Sequence, residues 1–504
     1  MSEVKRPWVV QKFGGTSVGK FPLKIAKEIV AEYEKDARTV VVCSARSNNV
    51  KAQGTTTCLL RATDYAVQRK NFREVIEGIR DDHLVAAEAA ITGHPEIRKE
   101  LEKAITDECA NVLRILDASC VLDEVSPRTM DLVLSAGEKL SCLFVVAVLK
   151  SIGQNAELVD LTRVLSCSAA CTPHATEPIK LDRAFYADLE SRMASAVKHT
   201  ANAQTNASGQ PAIPVVTGFF GLLPGGLINN IGRGYTDLCA ALCAVGLNAE
   251  ELQIWKEVDG IFTADPRKVP DARLLDQITP EEAAELTYYG SEVIHPFTMD
   301  QVIQAHIPIR IKNVMKPRGA GTKVFPTPQQ MMVAAKATTM SAEEKEKLDK
   351  LDTHKGPTAI TSKGNIIVLN IISNRTRQSH GFLAQVFGVL DRWRLVVDLI
   401  STSEVHVSMA IHESSPEMPV TEALREIRQY GTVDVIENLS IVSLVGTKMK
   451  QHVGIAAQMF STLATAGVNI EMISQGSSEI NISCVISASQ VLKAIRTLHE
   501  RLLS

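Results

Sequence analysis

Hydrophobic residues in the first two thirds of the chain come as short solid runs separated by stretches of helical period. Trp8–Phe13 (WVVQKF), Thr39–Cys43 (TVVVC), Ala156–Asp160, Ile213–Gly218, Gln253–Asp259 and Ile307–Asn313 are apolar, rich in β-branched residues and bounded by turn formers. The first two predict buried strands and the others further strands of the same half. Between them, Leu23–Tyr33, a segment from about Leu59, the polar-faced Asn71–Ser119, Met130–Leu149, the apolar run to about Val245, Pro280–Leu286 and Pro296–Gln304 predict helices. Thr200–Pro211 and Ile261–Lys268 read as irregular loops, and Gly319–Val324 as a closing turn and strand. Strands that alternate with helices predict an α/β fold, a mostly parallel central sheet with helices on both faces.

The pattern then changes. Met340–Lys355 is charged and helical in period, which suits a linker or bridging helix. Beyond it the chain repeats itself. Phe382–Phe387, Val397–Ser401 and Glu404–Ser408 are echoed by Ile455–Phe460, Ile470–Ser474 and Glu479–Ser483. From Gln385 to Gln458 and from Ser401 to Ser474 the offset is 73 residues, and from Glu404 to Glu479 it is 75, so the second copy has a longer hairpin turn. Each copy reads strand, helix, strand, strand, helix, and with a closing strand it is a ferredoxin-like βαββαβ unit.

The 504 residues are 45% hydrophobic and 22% charged with a net charge of -3, a globular composition that argues against nucleic acid or a membrane surface as the main partner. Met1–Arg6 is short and charged and no apolar run reaches membrane-spanning length, so neither a secretory leader nor a span is expected. The 10 cysteines include no C-x-x-C pair, and their usage suits a reducing cytosol. Cys239 and Cys243 read as core, and Cys167 and Cys171 as free thiols, so no metal site is predicted.

Candidate chemistry gathers at strand ends. After Trp8–Phe13 come Gly14-Gly15, cap-type Thr16-Ser17 and a helix; glycine amides and a helix start favour an anion, and Lys12 adds a full charge. Gly14-x-x-x-x-Gly19-Lys20 falls short of a P-loop because Phe21 replaces the magnesium-binding hydroxyl, so Lys20 reads as a solvated helix-start lysine. Ser44 and Thr55–Thr57 place hydroxyls after the second strand, for turn and cap chemistry or ligand contact. Glu138, set among Leu132–Leu134 and Leu140–Leu143, is either a helix-surface carboxylate or one that grips an ammonium group. Arg233 between Gly232 and Gly234 suits a carboxylate or phosphate. Asp237 is an N-cap or a partner for a cation or lysine, and His83 and His94 look like surface residues.

These segments together resemble the aspartate kinases of the amino-acid kinase family, and most closely the fungal enzymes. The resemblance rests on KFGGTSVG from Lys12, LSAGEKLS from Leu134, GRGYTDLCAAL from Gly232, WKEVDGIFTADPR from Trp255 and SEVIHP from Ser291. SHGFLAQVF from Ser379 with VDLISTSEV from Val397, and NIEMISQG from Asn469, resemble the first and second regulatory ACT domains. The resemblance implies a catalytic domain at 1–330, a linker at 331–357, and ACT domains at 358–437 and 438–504, with one ACT unit threaded through the other. It implies phosphorylation of the L-aspartate β-carboxylate by ATP with magnesium as the substrate complex, as the first step toward threonine, methionine and isoleucine. It further implies threonine feedback, a homodimer or homotetramer built through the ACT domains, and a cytoplasmic location.

By the same resemblance, Lys12, Gly14 and Gly15 face the ATP phosphates. Ser44 and Thr56 line the aspartate site, Glu138 takes the substrate ammonium and Arg233 a substrate carboxylate. Asp237 orders the lysine or the metal region, while Lys256, Glu257, Phe262 and Arg267 surround the nucleotide; Lys256-Glu257 stand where many bacterial relatives carry Thr-Asp. His295 would support its loop. Effector contacts would be Gly381, Phe382, Leu383, Ala384, Asp398 and Ser403 in the first copy and Asn469, Ile470 and Gln475 in the second. Two other classes stay open from sequence: another carboxylate or carbamate kinase of the same fold, and a catalytically silent amino-acid sensor.

Overall fold

The computed structural model describes residues 6–47, 54–165, 181–203, 205, 209–223, 225–232, 234–288, 296–325, 356–373, 381–403, 406–413 and 420–503. Arg233, His295, Cys167, Cys171 and the 340–355 stretch lie outside them. The chain divides into two compact units, Met1–Ile261 with Ile294–Phe325, and Phe262–Val293 with Pro326–Ser504.

The first unit is built on β1 (Trp8–Phe13), β2 (Arg38–Cys43), β3 (Ala156–Val159), β4 (Ile213–Thr217), β5 (Glu251–Lys256), β6 (Ile309–Asn313) and β7 (Thr322–Val324). Their order in the sheet is β3-β4-β2-β1-β5-β6-β7, parallel except for β6 against β7. The solid apolar runs are the central strands, sealed on both faces. On one face Phe13, Val41, Cys43 and Trp255 pack with the helices that run from Ile25 to Leu149. On the other, the Tyr235–Leu247 helix lies over β1 and β5 and against the Arg183–Ala203 helix.

The Pro127–Ser151 helix is long and apolar enough to cross a membrane, contrary to the sequence expectation, but 83% of its apolar window is buried in the first unit. It is a core helix, hydrophobic nearly all round because other elements surround it. Cys239 and Cys243 are core thiols as their spacing implied. His94 is exposed, but His83 is fully buried, which corrects its reading as a surface residue.

The second unit carries an antiparallel sheet of β8 (Ala359–Ser373), β9 (Val397–Thr402), β10 (His406–His412), β11 (Gly431–Val445), β12 (Met472–Gln475) and β13 (Asn481–Ser487), in the order β9-β10-β8-β11-β13-β12. Two long strands are shared between the repeats. The end of β8 pairs with the start of β11, Ser373 with Gly431 and Val368 with Ile436. The start of β8 pairs with the end of β11, Lys363 with Ile441 and Ala359 with Val445. The repeat helices Phe382–Arg392 and Ile455–Thr465 each begin after a left-handed glycine, Gly381 (φ 84) and Gly454 (φ 94), where a side chain would be strained.

The Pro280–Tyr288 helix belongs to this second unit. Buried Glu282 accepts hydrogen bonds from the Thr358 hydroxyl at 2.7 Å and the Thr447 amide at 2.8 Å, and Glu285 accepts from Asn481 at 2.7 Å.

Candidate active site

Lys12 is the penultimate residue of β1, at the carboxyl end of the strand in the middle of the first sheet. Its neighbours on each side are parallel, so their carboxyl ends open onto the same edge, where α/β sheets hold ligands. Lys12 Nζ lies 2.6 Å from Asp237 Oδ1, and both side chains are about one tenth exposed. The contact is a close ion pair, although Asp237 Oδ1 lacks hydrogen-bond alignment to any donor. Asp237 is therefore not an N-cap. Gly234 caps that helix, and Asp237 sits inside the first turn facing the lysine.

The glycine turn is fitted to the next strand. A Cβ on Gly15 would come within 1.9 Å of the Ala45 carbonyl oxygen, so only glycine fits there, whereas a Cβ on Gly14 would meet nothing within 4 Å. Ser47 N–H donates to the Gly15 carbonyl at 3.0 Å, which ties the turn to the segment after β2. Thr16 and Ser17 do not cap the helix. Gly14 is the N-cap, Thr16 Oγ1 lies 3.1 Å from Ser47 Oγ, and Ser17 Oγ donates to Glu257 Oε1 at 2.8 Å. Lys20 is exposed, as expected, though it closes the Gly15–Lys20 turn rather than starting a helix.

Ser44 and Thr56 are half-buried, and the Ser44 amide donates to the Phe13 carbonyl at 3.2 Å. Thr55 is spent on structure, since its hydroxyl donates to the Arg46 carbonyl at 2.8 Å. Arg46 is itself buried and pairs with Asp82. His83 follows; burial, helped by the Arg46 charge, lowers its pKa to about 4, so it is a neutral core residue.

Glu138 lies midway along the Pro127–Ser151 helix and is 2% exposed. It is not a helix-surface carboxylate. The adjoining Gly137 would place a Cβ 3.0 Å from that of Ala45, which puts Glu138 next to the segment after β2. Tyr235 Oη donates to Glu138 Oε1 at 2.6 Å, while Oε2 is buried without a hydrogen-bond partner. Burial pushes the Glu138 carboxyl up to about 7, with the Tyr235 hydrogen bond opposing. Among the described residues, no lysine or arginine pairs with it. A buried carboxylate without a paired cation is costly, and the upward shift of its pKa is how that cost shows.

Asp131, about two helical turns before Glu138, accepts the Leu227 N–H at 2.8 Å and so holds the start of the Leu227–Ile231 helix. Burial raises its pKa to about 6. Sequence reasoning read Ser17 only as a cap and missed Asp131 and Tyr235; their partners lie 240, 96 and 97 residues away.

Lys256 is half-buried at the end of β5, and Glu257 follows it, exposed. Phe262 and Arg267 belong to the second unit; Arg267 is 88% exposed and pairs with Asp265 at 2.9 Å. In the second unit Asp398 is 2% exposed and pairs with Lys363 at 2.7 Å, with its Oδ2 buried and unpartnered. Phe382 is buried while Gly381, Leu383 and Ala384 are exposed at the helix start, and the Ser403 amide donates to the His406 carbonyl at 2.7 Å. In the other copy Asn469 and Gln475 are exposed and Ile470 is half-buried.

Comparison with known proteins agrees with this layout. The model for the amino acid kinase family matches residues 7–313, and that for the ACT domain matches 442–502. The aspartokinase of Schizosaccharomyces pombe is 52% identical, with 100% of this chain and 94% of the relative covered; that of Saccharomyces cerevisiae is 53% identical, with 99% and 93% covered. Among solved structures, Escherichia coli aspartokinase III in complex with aspartate and ADP (R-state) superposes with a TM-score of 0.70 at 27% identity, covering 98% of this chain and 100% of that one. The same enzyme in complex with lysine and aspartate (T-state) gives 0.75 at 26% identity, covering 98% and 99%. The chain belongs to the amino acid kinase family, as an aspartate kinase with a C-terminal ACT region.

Proposed function

We propose that the enzyme transfers the γ-phosphoryl group of ATP, presented with magnesium as the substrate complex, to the β-carboxylate of L-aspartate. The products are 4-phospho-L-aspartate and ADP, the first committed intermediate toward threonine, methionine and isoleucine. The observation that carries this reading is the pairing of two unlike charge arrangements at the first sheet: a lysine held by Asp237, and a buried Glu138 that no cation among the described residues pairs with. An amino acid with an ammonium group and an anionic acceptor fits the second, and a polyphosphate fits the first.

The aspartate side chain has a free pKa of about 3.9, so the attacking carboxylate is already ionised and needs no general base. A carboxylate oxygen forms the new P–O bond while the β,γ-bridging bond breaks, and its electron pair leaves with ADP. The barrier lies in bringing an anion to a polyanion, so positioning and charge neutralisation carry the catalysis. In this reading Lys12 neutralises the phosphates, Asp237 keeps Lys12 extended along the strand end, and Gly14 and Gly15 let backbone N–H groups approach. Ser44 and Thr56 line the aspartate side, Glu138 binds its ammonium and Arg233 a carboxylate. Lys256, Glu257, Phe262 and Arg267 serve the nucleotide. The ADP complex of the E. coli relative supports nucleotide use.

Regulation is part of the proposal. The ACT region binds threonine as a feedback inhibitor, through the helix start at Gly381–Ala384 with Asp398 and Ser403, or through Asn469, Ile470 and Gln475 in the other copy. The lysine complex of the E. coli relative supports an amino-acid effector of some kind. We assign 1–330 to catalysis and 331–357 to a linker, and read the ACT units as interleaved, because 359–363 pairs with the strand of the second repeat. The enzyme works in the cytoplasm as a homodimer or homotetramer assembled through these units. The test is acyl-phosphate formation from L-aspartate with ATP and magnesium, trapped by hydroxylamine, with and without threonine. Product that threonine suppresses is the expected result. Product from another acid but not aspartate would overturn the substrate assignment, and product indifferent to threonine would overturn the effector assignment.

A further inference from the structure

Tyr235 is buried at the first position of the Tyr235–Leu247 helix, two residues before Asp237. Its ring packs edge-on against Phe219, with centroids 5.8 Å apart and planes at 75°, so the side chain has little freedom to turn. Its hydroxyl reaches across to the Pro127–Ser151 helix and donates to Glu138 Oε1 at 2.6 Å. That distance is at the short end for a hydroxyl and a carboxylate, where charge-assisted hydrogen bonds lie. The hydroxyl hydrogen can serve only one acceptor well, and Glu138 is the acceptor it has. The other carboxylate oxygen is left buried and free.

We infer that Tyr235 is a positioning residue for substrate binding: its hydroxyl fixes the Glu138 carboxylate, favours its ionised form and leaves Oε2 aimed at the incoming ammonium group. The inference rests on the assignment of Glu138 to the substrate ammonium. It goes further by making recognition of the amino group depend on a second helix, the one that also carries Asp237. The titratable groups around this carboxylate are few. Tyr235 and Cys239 face it from the Tyr235–Leu247 helix and Cys142 from its own helix, and all three have pKa values pushed upward by burial. None of them supplies positive charge at neutral pH, so hydrogen bonds oppose the cost of a buried anion, that of Tyr235 first and the backbone at Glu138 and Ala45 after it. Lys139, the next residue, turns away to Glu108 and Asp160.

Tyr235→Phe keeps the ring and its packing on Phe219 and removes only the donor. KM for aspartate, measured from pH 6 to 9 on the full chain, should rise below the Glu138 titration in the parent enzyme. In Tyr235→Phe that rise should move upward by about one pH unit, because a hydrogen bond to an ionised group is being lost. At pH 6.5 KM should then be about eightfold above the parent, and near pH 9 the two should converge, with kcat little changed throughout. Loss of packing alone would raise KM equally at every pH. Should Tyr235→Phe fail to fold, replacing tyrosine by 3-fluorotyrosine gives a stronger donor, and the rise should move to lower pH. The Glu138→Gln variant separates the two claims. If its KM profile is as steep as the parent's, the assignment of Glu138 fails. If Glu138→Gln flattens the profile but Tyr235→Phe leaves the rise at the parental pH, the Tyr235 inference fails alone.

Discussion

Glu138 and Asp237 are both buried carboxylates in the first unit, and they differ in what faces them. Asp237 has Lys12 at 2.6 Å, a pair that is complete without a substrate. Glu138 has a tyrosine hydroxyl on Oε1, the backbone at Ala45 beside it, and no ion-pair partner among the described residues. The difference teaches how one sheet edge can hold both a polyanion and an amino acid. On the proposed reading the Lys12–Asp237 pair shares its cation with phosphate, so it acts most when charge moves. Among the described residues no cation pairs with Glu138, and on the proposed reading the substrate's ammonium group completes it.

The largest effect expected from breaking this comparison is at the lysine. Lys12→Ala should lower kcat by about 10²- to 10³-fold in the hydroxylamine assay, as for loss of one electrostatic stabiliser. Near-normal turnover would remove Lys12 from the phosphate site. The same change strands Asp237, so a Lys12→Met, Asp237→Asn double variant should regain stability without regaining turnover.

The second effect is on stability, and its sign follows from the protonation states. The Glu138 carboxyl rises from an ordinary 4.5 to about 7 in the folded chain. The folded state thus holds a proton that the unfolded chain has lost. Its stability should fall as pH rises from about 4.5 to about 7 and level off above. Glu138→Gln removes that loss, so the stability gap between variant and parent should widen by about 3 kcal/mol across this window, read by denaturant unfolding at each pH. A gap that stays constant with pH would mean that Glu138 is not a strained carboxylate. The smallest effect is at the rim. Ser17→Ala loses one half-buried hydrogen bond to Glu257, and should change KM for ATP by about two- to fivefold with little change in KM for aspartate.

Much of this site was legible before the structure. Lys12, Gly14, Gly15 and Glu138 stood out because each breaks a local rule: charge at the end of a buried strand, paired glycines, a carboxylate in an apolar run; Asp237 was marked only by its place at a helix start. Partners were not legible, because contact between residues such as Glu138 and Tyr235, 97 apart, leaves no trace in local pattern. His83 was readable and misread: Ile76, Ile79, His83, Ala87 and Ala90 fall on one buried helical stripe, whose spacing places the histidine inside. In the C-terminal region the repeat offset of 73 residues recurs between the two helix starts at Gly381 and Gly454. The pairing of 359–363 with the second repeat is a long-range fact that no repeat arithmetic contains.

The claim that the Glu138 site is completed by the substrate is tested most directly by proton release. L-aspartate binding would be followed by titration calorimetry at pH 6, with a non-hydrolysable ATP analogue present, in buffers of different ionisation enthalpy. With the carboxyl at about 7 in the free protein, binding of the ammonium should expel about 0.9 proton at pH 6, almost none at pH 8.5, and none in Glu138→Gln at either pH. Binding at pH 6 without proton release would contradict the account, because Glu138 would then not be the group that receives the substrate's charge.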